Sequence, residues 1–373
     1  MGNEAAVLIA ALSGRALAAS ARRGGYVPLV ADMFGDVDTL NAAHRHARLA
    51  GSLASGIEEQ NLIETLQVLS DGQEPIGVVY GTGFEDRPEL LRRLAERWRL
   101  IGNSADVVAT LKNPQIFSSI CCRSGIPSPE ISRPEPTITD GWLAKREGGA
   151  GGGHVKPADD CADVRGAIYY QRKVSGAPIS ACFLADGERV LILGFSAQWP
   201  SPAPRQPYRY GGAVRPAPLP SRTADTLTAA VRRIAAATSL VGLNSADFLV
   251  DGERFWLLEI NPRPGATLDI FETGETSLFA HHVAACSGKL ATASTRATDA
   301  KAAGIVYAEE DIASVCLSDW PCWAADLPVD GSRIMAGEPF CTVYASDFTA
   351  AGARELAEQR RKTILSWARA RNS

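Results

Sequence analysis

The stretch DFLVDGERFWLLEINPR, residues 247–263, decides how the rest of the chain is read. DFLV and FWLLEI are rich in aliphatic and aromatic residues, and Asp251-Gly252-Glu253 between them is turn chemistry, so the segment predicts two antiparallel strands. If Val250 pairs with Arg254 across a three-residue loop, Asp247 falls opposite Leu257, on the sheet face that carries Glu259 and Asn261. Two carboxylates and an amide oxygen on one face suit a hard divalent cation, whose remaining sites are filled by substrate oxygens and water. Arg263 stands two residues further on, where its guanidinium could fork onto a phosphate. The plainer reading is a hairpin with a solvated polar face. Trp256, Leu257 and Leu258 argue against it, because they put the acid where burial is expected and unpaired carboxylates are rarely buried.

Working outward, 373 residues exceed what one core normally serves, so two or three domains are expected. A net charge of -4 gives no electrostatic reason for nucleic-acid binding, and small-molecule partners are expected instead. The apolar run AAVLIAAL, 5–12, is too short to span a bilayer and lacks a basic flank, so it reads as a buried strand with no membrane role. The eight cysteines form no C-x-x-C pair and the five histidines show no zinc-ligand spacing; reduced thiols and a cytoplasmic location are expected.

From 5 to 103, strands (VLIAAL, VPLVAD, PIGVVYG) alternate with helical stretches at 16–23 and 87–99, an α/β pattern. Asp32 closes the second strand as in a dinucleotide fold, but only Gly14 stands where G-x-G-x-x-G would be needed. A helix-rich part carrying Lys112 leads to the breakers Gly125-Ile126-Pro127-Ser128-Pro129, read as a linker or domain seam. Residues 142–185 read as an α+β unit: strand WLAKR, a glycine loop, a helix over 161–166, then strands AIYYQRKV and SACFLADG. A Pro-rich loop at 198–207 precedes YRYGGAV and a helix over 221–239; after 301, short strands and a helix over 350–371 form a small β-rich module.

The loop Gly148-Gly149-Ala150-Gly151-Gly152-Gly153 lies between Lys145 at a strand end and His154. It is no Walker loop, since the lysine precedes the glycines, yet its N–H groups could close over phosphates while Lys145 neutralises them. A triphosphate needs such a lid on one side and a divalent metal on the other, which the 247–263 hairpin offers.

With those residues in view, residues 1–272 resemble the ATP-grasp superfamily. The carriers of the likeness are LLEINPRPG (257–265) preceded by Asp247, LAKREGGAGGGHV (143–155) and the hinge-like YYQRKVSG (169–176). The resemblance implies a Rossmann-like pre-ATP-grasp domain at 1–103, an ATP-grasp domain of two α+β subdomains at 104–290, and the C-terminal module at 301–373. It implies ATP with Mg²⁺ or Mn²⁺ as cofactors. Asp247, Glu259 and Asn261 match the metal ligands, Lys112 and Lys145 the phosphate-contacting lysines, and Gly148, Gly149, Gly151, Gly152 and Gly153 the lid. Gln171, Arg172, Lys173 and Val174 match the hinge whose backbone contacts adenine, and Arg263, with Lys145, the catalytic cations. The hinge departs from the family in having Arg172 and Lys173 where an acid and an aromatic are usual, which leaves the ribose contact unassigned. Lys112 also reads plainly as a surface helix lysine.

The implied reaction activates a carboxylate as an acyl phosphate for attack by an amine, which needs no protein nucleophile. Substrate contacts are expected from Gly83 and Glu85, in the loop after the third strand, and from Arg209. The SGRALA start, the GFE loop and the short C-terminal module are similar to ATP-grasp proteins of methanofuran and tetrahydromethanopterin pathways, including tyramine-glutamate ligases, which implies amino acid-amine ligation. A carboxylate ligase of another small-molecule pathway is the alternative enzyme reading. A non-catalytic ATP-binding regulator would be expected to have lost one of the three metal ligands, and a homo-oligomer is left open.

Overall fold

The computed structural model describes residues 5–53, 55–161, 166–274, 276–291, 298–316 and 319–372. The chain opens with five parallel strands, β1 (Ala6–Ala10), β2 (Val27–Asp32), β3 (Arg45–Arg48), β4 (Val78–Tyr80) and β5 (Leu100–Ile101), in the order β3-β2-β1-β4-β5. All five residues of β1 are buried, as a strand covered on both faces must be. Leu8 and Ala10 face Leu62 and Leu66 of helix 59–70 and Leu90 of helix 88–95; Val7 and Ile9 face Leu17 of α1 (Arg15–Arg23). The helix expected over 87–99 is shorter, Pro88–Ala95. Asp32 accepts hydrogen bonds from the N–H groups of Gly14 (2.8 Å) and Gly35 (2.9 Å), so it ties loop tops together and its carboxylate serves the fold.

Helices α2 (Ala105–Lys112) and α3 (Pro114–Arg123) meet at Asn113, whose side chain caps α3 by accepting from the N–H groups of Gln115 and Ile116. Pro114, lacking an N–H, begins a new helix where α2 must stop, and Lys112 is thereby fixed at the bend. The breakers at 125–129 are no free linker: the Leu257 N–H donates to the Pro127 carbonyl.

A small antiparallel sheet follows, made of β6 (Ile131–Ser132), β7 (Trp142–Arg146), β8 (Lys156–Pro157) and β9 (Ile168–Arg172), in the order β8-β7-β9-β6. The helix expected over 161–166 lies mostly outside the described residues. The third sheet has eight strands: β10 (Ala177–Asp186), β11 (Val190–Pro200), β12 (Tyr210–Arg215), β13 (Val241–Asp251), β14 (Arg254–Asn261), β15 (Ala300–Tyr307), β16 (Ala324–Ala325) and β17 (Pro339–Asp347). Their order is β14-β13-β10-β11-β12-β15-β17-β16, antiparallel throughout. Gln198, Trp199 and Pro200, expected in a loop, end strand β11. The C-terminal strands extend this sheet through β12 and β15 instead of forming one of their own. Helix Ser221–Thr238 buries Leu227, Val231 and Ile234 on one face, and helix Leu278–Ala285 packs Phe279 on the other side, between the two large sheets. The C-terminal helix Ala350–Asn372 covers β15 and β17. No helix among the described residues is long and apolar enough to cross a membrane.

Candidate active site

The hairpin β13–β14 forms with a tighter turn than expected. Asp251, not Val250, pairs with Arg254, leaving Gly252-Glu253 as the turn with Gly252 at φ +62. A bulge then places Leu257 opposite Phe248, Glu259 opposite Asp247 and Asn261 opposite Ser245. The core dictates this. Ala246, Phe248 and Val250 of β13 and Phe255, Leu257 and Ile260 of β14 all enter one cluster, and Leu257 and Ile260 can share a face only if Leu258 is an extra residue. The three expected ligands do share a face, by a register different from the expected one.

That face is densely paired. Ser180 of β10 donates to Asp247 Oδ1 at 2.6 Å, and Asn261 Nδ2 donates to Asp247 Oδ2 at 2.9 Å. Gln198 of β11 reaches Asp247 Oδ1 at 3.4 Å. Lys112 is no surface lysine: its Nζ donates to Glu259 Oε2 at 3.2 Å and to Asn261 Oδ1 at 2.8 Å, with a side chain only 7% exposed. Lys145 donates to Gln171 Oε1 at 3.2 Å and lies 5.9 Å from the Tyr169 ring centre. Burial and the facing Glu259 push Asp247 up to about 6. Burial would also raise Glu259, but Lys112, Lys145 and His154 hold it down at about 2. Burial disfavours charge on Lys145, yet Tyr169 and Glu259 outweigh it and raise its pKa, so the ammonium persists at neutral pH. Two carboxylates directly opposed on a ladder repel, and a divalent cation between them would relieve that repulsion; Asp247, Glu259 and Asn261 therefore fit a hard cation.

Gly148 and Gly149 of the glycine loop border a cleft. Its apolar lining includes Leu111, Phe117, Ile131 and Leu257, and its polar lining includes Lys112, Lys145, Arg146, His154 and Glu259. Gly148 packs on Glu85 and Asp86 in the loop after β4, and Gly152 on the Tyr208 carbonyl, with Gly151 O accepting from Tyr210 N–H at 2.9 Å. Gly149 and Gly153 face His154 and Gln206.

Other expected residues stand apart from the cleft. Gln171 lines it, but Arg172 stacks its guanidinium on Trp142 at 4.5 Å and Lys173 is exposed, while their N–H groups donate to Glu130 and Gly141 carbonyls. Val174 does not line the cleft either.

Arg263 Nε donates to Glu85 Oε1 at 2.7 Å, both side chains being buried. The other oxygen of Glu85 accepts from the N–H groups of Gly83 (2.7 Å) and Phe84 (3.0 Å). Burial would raise Glu85, but Arg263 and then Lys112 bring it below the ordinary carboxylate value. Arg209 is occupied elsewhere, stacked 3.6 Å from the centre of the Tyr307 ring and donating to the Ser201 and Gly337 carbonyls. Ser180 and Gln198 were not foreseen; only the pairing of β10 and β11 beside β13 brings them to Asp247.

Residues 120–267 match the ATP-grasp domain family. Carbamoyl phosphate synthase large chain from Thermus thermophilus is 24% identical over 233 residues, 55% of this chain and 22% of that one, so the chain spans about a fifth of the length of the curated relatives it matches. Among solved structures, a biotin carboxylase–β,γ-ATP complex from Campylobacter jejuni superposes with a TM-score of 0.76 at 14% identity, covering 98% of this chain and 95% of that one. L-amino acid ligase from Bacillus licheniformis gives 0.71 at 14% identity (96% and 97% covered). N5-carboxyaminoimidazole ribonucleotide synthetase from Thermotoga maritima gives 0.67 at 14% identity (96% and 98%).

Proposed function

The chain carries an ATP-grasp domain, and from that premise we infer an ATP-dependent, ADP-forming ligase that activates a small-molecule carboxylate as an acyl phosphate for attack by an amine. The observation that carries the reading is one cleft lined by the apolar Leu111, Phe117, Ile131 and Leu257 together with Lys112, Lys145 and Glu259, and bordered by Gly148 and Gly149. The nucleobase would lie against Leu111, Phe117, Ile131 and Leu257, with Gln171 as polar partner. Lys112 and Lys145 would neutralise the phosphates. Asp247, Glu259 and Asn261 would hold Mg²⁺ or Mn²⁺, which supplies charge neutralisation at the transferring phosphoryl group.

The protein's share of the chemistry is positioning and electrostatics. Lys145, kept protonated, faces the developing negative charge. Arg263 is held by Glu85, which also binds two N–H groups of the 83–85 loop, so the cation nearest the acid substrate is aimed from the first domain. Residues 1–103 would present the acid, 104–290 the nucleotide, and 301–373 would brace the sheet. Amino acid-amine ligation in one-carbon cofactor assembly is the finer form of this proposal, and it rests on sequence likeness alone.

The test is ADP release with Mg²⁺ and ATP, scanning carboxylates including glutamate against amines including tyramine. Acid- and amine-dependent ADP formation should fall at least a hundredfold in Glu259→Ala. ATP binding without turnover across the panel would remove the ligase reading.

A further inference from the structure

Asp36 ends the loop that follows β2 and stands at the start of helix Val37–Ala42, the place where an Asp ordinarily caps its own helix. Here it does not. Among the described residues no hydrogen bond or ion pair reaches its carboxyl, although the residue is only 7% exposed. Thr39, one turn along the same helix, is fully buried and its hydroxyl is unpaired as well. Two polar groups that are neighbours on a helix face therefore leave each other unserved.

The charges around Asp36 show where it points. Asp326, Asp32 and Asp38 are carboxylates that face it, and Arg15 is a facing cation. Arg15 is already committed, donating to Asp269 at 3.0 and 2.7 Å and to Asp326 at 3.0 Å. Asp32 is taken by two loop N–H groups and by His46 at 2.9 Å, and Asp38 by the N–H groups of Asp326 and Leu327. Burial, and then Asp326, Asp32 and Asp38, push Asp36 up to about 8. A carboxyl set unpaired among like charges is suited to a cation that brings its own donors. Among the described residues no three His, Cys, Asp or Glu side chains gather closely enough to hold a metal ion, so the suitable cation is organic.

Such a ligand has a way in. The side chains of Asp38 and Asp326 are 25% and 24% exposed, so solvent reaches the cluster. The cluster lies at the carboxyl ends of β1 and β2, where open parallel sheets take ligands. The Met33 N–H donates to the Leu12 carbonyl and the Leu12 N–H to the Thr82 carbonyl, so this loop is tied to the one that carries Glu85, the partner of Arg263.

We propose that Asp36, with Asp38 and Asp326 beside it, binds the primary ammonium group of a small-molecule ligand at this end of the parallel sheet. The site stands on its own residues. Joined to the ligase reading, on which this extension rests, it names a substrate class: an amine must lose its proton to attack an acyl phosphate, so an ammonium held by carboxylates is a second, unreacting group, as in an amino acid or a diamine.

The test is ligand-observed NMR titration of the full chain, without nucleotide, with butylammonium and separately with tetramethylammonium, which has the same charge and no N–H. Butylammonium should saturate and bind at least tenfold more tightly than tetramethylammonium. Asp36→Asn, which copies the neutral acid in shape, should weaken butylammonium tenfold or more, while Glu253→Gln, on the exposed turn of the β13–β14 hairpin, should match wild type. Wild-type affinity should also rise from pH 6 to pH 8.5, as Asp36 ionises through about 8, and the rise should be absent in Asp36→Asn. The other titratable groups facing this place are Asp32 with His46, Asp38, Asp326, Arg15 and the Cys341 thiol, which burial holds well above its usual value. Equal affinity for the two cations, unchanged affinity in Asp36→Asn, or no saturable butylammonium binding would each overturn the site. If Asp36→Asn does not fold, the wild-type pH profile decides, and a flat one overturns it. Butylammonium binding in a protein that releases no ADP with any acid and amine would overturn the ligase and leave the site; ADP release without butylammonium binding would overturn the site alone.

Discussion

The lid glycines are not equivalent. Gly152 sits at φ +72, and a Cβ there would run into the Tyr208 carbonyl, a backbone atom that cannot rotate away. Gly153 has ordinary φ, and its nearest neighbour is Gln206 Oε1 at 3.5 Å, the end of a flexible side chain. Gly152→Ala carries about 1–3 kcal/mol of strain that the loop can shed only by lifting off. Its MgATP-dependent turnover should fall tenfold or more while the melting temperature changes little, and Gly153→Ala should behave like wild type. Side-by-side ADP-release kinetics and thermal melts check this, and equal losses at both positions would show that the lid is not seated through Tyr208.

At the scale of the element, the β13–β14 ladder faces Asp247 with Glu259, and the cost of that pairing depends on pH. Asp247 is raised from 3.8 to about 6, so the folded chain binds its proton more tightly than the unfolded one. That contribution to stability is complete below pH 3.8 and is lost as pH rises through about 6. Glu259, lowered from 4.5 to about 2, works the other way, in a more acidic window. A divalent cation held between these strands would bind the ionised pair, so the rise in melting temperature on adding Mg²⁺ should be larger at pH 7.5 than at pH 5. Asp247→Asn should lose that increment while keeping or raising its melting temperature without Mg²⁺. Equal Mg²⁺ increments at both pH values would count against cation binding between these strands.

The same hairpin shows what the sequence could convey. Its strands are adjacent in the chain and their chemistry is local, so the hairpin and the shared face of Asp247, Glu259 and Asn261 were legible. The register was not, because a bulge at Leu258 is set by where Phe248 and Ile260 must pack, and that is a tertiary demand. The setting of Arg209 was not legible for a similar reason: the Gly337 carbonyl that its guanidinium meets stands 128 residues away. Ser180 and Gln198 were invisible because strand order is not written in either strand.

Across the whole molecule, Arg15 ties three parts of the chain. From α1 it binds Asp269 with two nitrogens (3.0 and 2.7 Å) and Asp326 (3.0 Å), and its Nη2 is 2.8 Å from the Tyr344 hydroxyl. Asp38, 3.7 Å from Arg15 Nε, accepts from the N–H groups of Asp326 and Leu327. Arg15→Met would leave the half-buried Asp269 and Asp326 without this guanidinium, a loss of about 1–3 kcal/mol. Denaturant unfolding should show a midpoint shifted accordingly, with the N-terminal five-stranded sheet separating from the rest; a single unshifted transition would make the cluster energetically idle.

The way β12 is enclosed has a consequence for synthesis. Its outer neighbour is β15, about ninety residues later, so a ribosome that has released β12 still presents YGGAVR as an open hydrogen-bonding edge. The nascent chain must therefore wait for residues 300–307 before that edge is covered, and chaperone occupancy during translation should concentrate in this interval.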